Sequence, residues 1–181
     1  MKKFFAFMAA ACCAMALSAT TYTCHLMVDI NGATSEQDGV EVDVTNNNGL
    51  YELNLKNFCL VSDGNTLPVG NITVTGVEGV DQYGYTTIKF NNSIVITPGN
   101  NPEFAESEWI GQYLGDVPLD LTSRFTGTAL SANIDIDMMS AIQQIIKVSI
   151  FGVAPVIKGD VNNDSEVNIG DVNAVINIIL N

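Results

Sequence analysis

Basic residues are scarce. Of 181 residues, 7 are Lys or Arg against 20 Asp or Glu, a net charge of −13. Nucleic-acid binding needs a cationic footprint that displaces counterions, so this chain is not expected to bind nucleic acid. Anionic membrane surfaces are disfavoured for the same reason. Charged residues of both signs make up only 15% of the chain and hydrophobic ones 47%, so the acidity reflects missing bases. A disordered acidic chain would show the reverse balance. One folded domain with appendages fits the length.

Histidine is rarer still: His25 is the only one. No G-x-S-x-G elbow, His/Cys metal cluster or glycine-rich phosphate loop between a strand and a helix is present. His25 falls on the polar face of a strand, where a solvated side chain is expected. Asp135/Asp137 and Glu106/Glu108 have the form of a glycosidase carboxylate pair. The first alternates with inward Ile134 and Ile136 and should face water. No catalytic residue is assigned, and the protein is expected to be non-enzymatic.

No apolar run reaches the roughly 20 residues of a membrane-spanning helix. The longest uncharged apolar run, Phe4–Leu17, has 14 residues and follows Met1-Lys2-Lys3. Small Ser18 and Ala19 come next. This is the layout of a secretory signal peptide, residues 1–19, cleaved after Ser18 or Ala19. A lipoprotein signal on Cys12 or Cys13 is the minor alternative, and Ala9-Ala10-Ala11 lacks the usual Leu. Processing removes two bases and no acids, leaving 5 against 20 and a charge of −15. The protein is expected in the periplasm, on the cell surface or outside the cell. Cys24 and Cys59 remain, and export permits a disulfide without establishing one.

The mature chain alternates with period 2. Tyr22, Cys24, Leu26, Val28 and Ile30 share one face of a strand, with Thr21, Thr23, His25 and Asp29 opposite. Val40, Val42 and Val44 alternate with Glu41, Asp43 and Thr45. Asn46-Asn47-Asn48-Gly49 then turns the chain into Tyr51, Leu53 and Leu55. Further strands are expected at 70–75, 85–90, 93–97, 119–125, 130–137 and 147–151. Eight or nine short strands with this alternation predict an all-β, antiparallel barrel or sandwich. Two stretches break the pattern. Residues 98–115, with the single Trp109, are expected to form a short helix or lid. Met138, Met139, Ile142, Ile145 and Ile146 have helical spacing and suggest a short helix across a barrel end.

After a linker at 153–158, residues 159–181 carry the densest motif. With Asp160 as position 1, Asn162, Asp164, Glu166, Asn168 and Asp171 fall at positions 3, 5, 7, 9 and 12. Oxygen donors at alternate positions suit Ca²⁺, a hard cation taking 6–8 oxygens. Asp160, Asn162, Asp164 and Asp171 would give side-chain oxygens, Glu166 its carbonyl, and Asn168 an oxygen directly or through water. Val172, Val175, Ile176 and Ile179 form the apolar stripe of a following helix. An acidic, Asn-rich tail with a docked helix and no ion is the alternative.

The segment GDVNNDSEVNIGDVNAVINIILN resembles one repeat of a type I dockerin. Asp171 stands at position 12, as in dockerins, while Ser165 replaces the usual Gly at position 6, and one repeat is present where dockerins carry two. The segments TYTCHLMVDINGATSEQDGVEVDV, YELNLKNF, GNITVTGV and PLDLTSRFTGTALSANIDIDM resemble bacterial secreted proteins with a calycin-like domain. That resemblance implies a lipocalin-like barrel over residues 20–152. The lipocalin G-x-W signature is absent from the first strand, and no lipocalin binding residue is carried over.

Two functions are compatible with these features. One is a binding module with a small apolar ligand at the barrel mouth, lined by inward residues such as Tyr22, Tyr51 and Phe125. The other is an assembly protein whose calcium-ordered C-terminal helix docks on a partner. A role in an extracellular glycan-degrading system is suggested only by the dockerin resemblance.

Overall fold

The computed structural model describes residues 18–62, 64–139, 143–155, 158–161 and 167–180. The expected signal run Phe4–Leu17 lies outside the described residues. Eight antiparallel strands form one closed up-and-down barrel, with each strand paired to its neighbours in sequence. They are β1 (Ser18–Ile30), β2 (Ala33–Asn47), β3 (Leu50–Ser62), β4 (Asn65–Gln82), β5 (Tyr85–Val95), β6 (Asp116–Phe125), β7 (Ala129–Met138) and β8 (Gln144–Val153). Pairing of β1 with β8, from Thr23↔Val153 to Ile30↔Ile146, closes the ring. Closure leaves no sheet edge to attract another chain.

The period-2 pattern sets which side faces in. Tyr22, Cys24, Leu26 and Val28 of β1, Leu53 and Leu55 of β3, and Leu119, Leu121 and Phe125 of β6 are buried. They belong to one apolar cluster fed by all eight strands. Charged Glu41, Asp120, Asp135 and Lys147 stand on the alternate, exposed positions. This is the inverse of a transmembrane barrel, whose lipid face is apolar and whose lumen is polar.

Tight turns fix the hairpin registers. Asn48 and Gly49 have φ of 56° and 85°, the paired positive values of a type I′ turn. The Asn46 carboxamide oxygen accepts the Gly49 N–H at 2.8 Å. Asn31-Gly32 and Tyr83-Gly84 repeat the paired positive φ values between β1 and β2 and between β4 and β5.

The structure corrects one local expectation and refines two. Residues 85–90 and 93–97 were expected as separate strands, but β5 runs unbroken from Tyr85 to Val95, pairing with β6 throughout. Of the helix expected across Met138–Ile146, the described residues carry one helical position, Met139, while Met138 and residues 144–146 belong to β7 and β8. Met138 and Ile146 are inward strand residues, and Ile136↔Ile146 and Met138↔Gln144 continue the ladder. Ladder bonds and burial outweigh a helical spacing of only a few residues; residues 140–142 lie outside the described ones. Finally, the short helix or lid expected at 98–115 takes the form of a strap with two 3-10 turns, Glu106–Glu108 and Ile110–Tyr113.

That strap is tied down by asparagines. The Asn57 side chain donates to the Asn100 Oδ1 at 3.0 Å, and its own oxygen accepts the Asn100 N–H at 2.8 Å. The Asn71 Nδ2 donates to the Pro98 carbonyl at 2.9 Å. Trp109 is only 1% exposed and meets Phe104 edge-on at 5.5 Å. The strap joins β5 to β6 at the end of the barrel away from the β2–β3, β4–β5 and β6–β7 turns. It leaves that second end open.

Candidate functional site

The open end carries a cleft of about 520 Å³. Its floor is Tyr22, Val44 and Phe125, the last apolar or aromatic inward positions of β1, β2 and β6. One rung further out, the inward positions become polar: Thr20 on β1, Asn46 on β2, Asp81 on β4 and Thr86 on β5. Asp81 and Thr86 are cross-strand partners two residues above the Gly79↔Ile88 pair. Ile88 is fully buried, so the same parity turns Asp81 and Thr86 toward the barrel axis.

Hydrogen bonds fix this rim. The Tyr22 hydroxyl donates to the Thr126 carbonyl. The Asn46 Nδ2 donates to the Tyr51 hydroxyl at 3.1 Å, and the Thr86 hydroxyl donates to Asp81 at 2.6 Å. Tyr51 meets Phe125 edge-on at 5.3 Å and lies so close to Gly79 that a Cβ there would overlap its ring. Burial pushes the Tyr22 phenol up to about 12, opposed by a hydrogen bond from Thr20. Burial likewise pushes the Cys24 thiol, one rung deeper, up to about 11. Both stay protonated and neutral at physiological pH.

The inward aromatics singled out in the sequence, Tyr22, Tyr51 and Phe125, thus meet around one opening. The polar rung above them was missed. Thr20 and Asn46 continue the even-numbered faces of β1 and β2, so parity alone could have found them. Asp81 could not be found that way, because β4 was read only to residue 75 and extends to Gln82.

The loop read from the sequence as a calcium site is described only at its ends. Asn162, Asp164 and Glu166 lie outside the described residues, and Asp160 is half-buried. Asp171 is buried, and its two oxygens accept the Val161 and Asn168 N–H groups, each at 2.7 Å. Its carboxylate therefore draws positions 2, 9 and 12 of the loop together. The Asn168 Oδ1 accepts the Gly170 N–H at 2.6 Å, as a helix N-cap does. This bond orders the start of α1 (Ile169–Leu180). Among the described residues no group of three or more His, Cys, Asp or Glu is placed to hold a metal. The apolar stripe of α1 is open to solvent, with Val172 50% and Ile179 74% exposed.

The carboxylates and histidine weighed as catalytic candidates lie outside the barrel interior. His25 Nδ1 is 2.7 Å from Asp38 on the exposed face. Asp135 is exposed, and Asp137 accepts the Met139 N–H at 2.9 Å. Glu108 accepts the Ala105 N–H at 2.5 Å within a turn. Cys24 and Cys59 are both buried free thiols. Among the described residues no helix is long and apolar enough to cross a membrane.

No curated protein matches the sequence. A crystal structure of a putative outer membrane protein from Bacteroides fragilis is similar, with a TM-score of 0.53 and 18% identity over 75% of this chain. The match spans half of that protein's chain, and at this identity it speaks for the fold. A sequence model of the calycin-like β-barrel domain matches residues 19–152, nearly the whole barrel. With the closed eight-stranded meander and its apolar interior, that match makes this chain a member of the calycin-like β-barrel domain family.

Proposed function

We propose that this protein is an exported, non-enzymatic binding module whose ligand sits in the barrel mouth. The supporting observation is the polar rung of Thr20, Asn46, Asp81 and Thr86 on inward positions above an aromatic floor. Inward polar groups at a barrel end fix a ligand's orientation while the floor supplies contact area. The small apolar ligand expected from the inward residues is narrowed in this reading to one that also carries a polar end. A neutral amphipathic fluorophore such as N-phenyl-1-naphthylamine tests the site. Its emission should rise with the wild-type chain and fall back with Thr20→Trp, which fills the cleft. No enhancement, or enhancement that Thr20→Trp leaves unchanged, contradicts the proposal.

The tail is read as a calcium site held by Asp160, Asn162, Asp164, Glu166, Asn168 and Asp171. The loop-closing bonds of Asp171 support this reading. A second reading makes the exposed stripe of α1 a docking face ordered by that ion, in keeping with its open Val172, Ile176 and Ile179. An accessory role in extracellular glycan breakdown would use the same face.

A further inference from the structure

Accepting the mouth as the ligand site, we infer that it takes a small organic cation: an amine or quaternary ammonium carried on an apolar or aromatic body. Among the described residues, Asp81 is the one charged side chain lining the cleft, and no Lys, Arg or His lines it. Its described partner is the Thr86 hydroxyl at 2.6 Å, and the ion pairs of the described residues lie elsewhere, at His25 and Lys56. A carboxylate turned inward at a barrel end without a base leaves a negative site facing the ligand space. An anionic ligand would meet that carboxylate and the field of a chain at −13. A cation is drawn in by both.

The aromatic rings favour the same charge. Tyr22 and Phe125 form the floor of the opening, and the negative faces of aromatic rings attract cations within about 6 Å. A neutral sugar, the other ligand that pairs carboxylates with aromatics, needs a broad flat ring to stack on. Tyr51 is instead held between the Gly79 backbone and the Phe125 ring. A compact ammonium head beside Asp81, with its body against Phe125 and Val44, needs no such platform.

The test compares benzyltrimethylammonium with neopentylbenzene, its uncharged isostere, and with benzoate. Binding to the full chain is followed by calorimetry and by NMR shifts of the mouth residues. The cation should bind roughly tenfold tighter than the isostere and benzoate not at all, with affinity falling as salt rises. Asp81→Asn keeps an oxygen for Thr86 and removes the charge; it should erase the cation's advantage and leave the isostere within about twofold. Equal binding of cation and isostere, or an advantage that survives Asp81→Asn, overturns the inference while the mouth remains a binding site. Mouth resonances that no probe moves overturn both readings together.

Discussion

Tyr22 joins the core to the mouth through a single side chain. Its ring is 1% exposed, while its hydroxyl reaches the Thr126 carbonyl at the rim. With its pKa raised from about 10 to about 12, the folded state holds this proton more tightly than the unfolded chain does. The same holds for Cys24, raised from about 9 to about 11. Their contribution is whole below about pH 9 and is lost as pH climbs through 11 and 12. Urea midpoints measured between pH 8 and 12 should therefore fall steeply at the alkaline end. Tyr22→Phe should cost about 1 kcal/mol at pH 8 for the lost hydrogen bond, yet show a shallower alkaline fall. An unchanged alkaline slope in Tyr22→Phe would mean that this phenol is not shielded as described.

Strand pairing explains why the residue pattern was so readable in some elements and not in others. β1, β6 and β7 alternate cleanly and were read nearly to their ends. β2 was read only from Val40, because Thr34–Gly39 is polar on both faces. Pairing with Val28, Met27 and Leu26 of β1 carries the strand through that stretch, and the ladder shifts register at Cys24/His25, opposite Gly39. β4 was cut short in the same way at its glycines, Gly76 and Gly79. One of them explains itself by contact: Gly79 makes room for the Tyr51 ring. Gly152 of β8 does the same inside the barrel, where an added Cβ would fall on the Cys24 sulfur and within 3.0 Å of the Tyr22 Cβ. Gly152→Ala should destabilise the barrel by about 1–3 kcal/mol through overpacking. Adding Cys24→Ala should restore much of that loss in a double-mutant cycle. Strict additivity of the two substitutions by chemical denaturation would show that the sulfur is not what crowds this position.

For the molecule as a whole, the acids fall into three groups. Glu41 and Asp43 share Lys56 on the outer wall, at 3.1 and 2.8 Å. Asp171 closes the C-terminal loop. Asp81 stands in the mouth. The sequence pattern identified the first two groups, because outward alternation and loop spacing are local signals. Asp81 depends on how far β4 runs and which way it faces there, and that is settled only by pairing with β5. Calcium bears on the tail. If the loop binds it, calcium at about a hundredfold its Kd should add roughly 2.7 kcal/mol to the stability of the unit containing the loop. Chelator should reverse the gain and Asp160→Ala should abolish it. Calorimetry that shows neither heat nor stabilisation removes the ion from the account.

The barrel mouth is the central claim, and its most direct measurement is a residue-resolved NMR shift map of the full chain titrated with N-phenyl-1-naphthylamine. The account predicts saturable shifts at Thr20, Tyr22, Asn46, Tyr51, Thr86 and Phe125, with the strap around Trp109 and the outer wall around His25 and Phe151 unmoved. Shifts confined to the outer wall, the strap or α1, with the mouth silent, would contradict it.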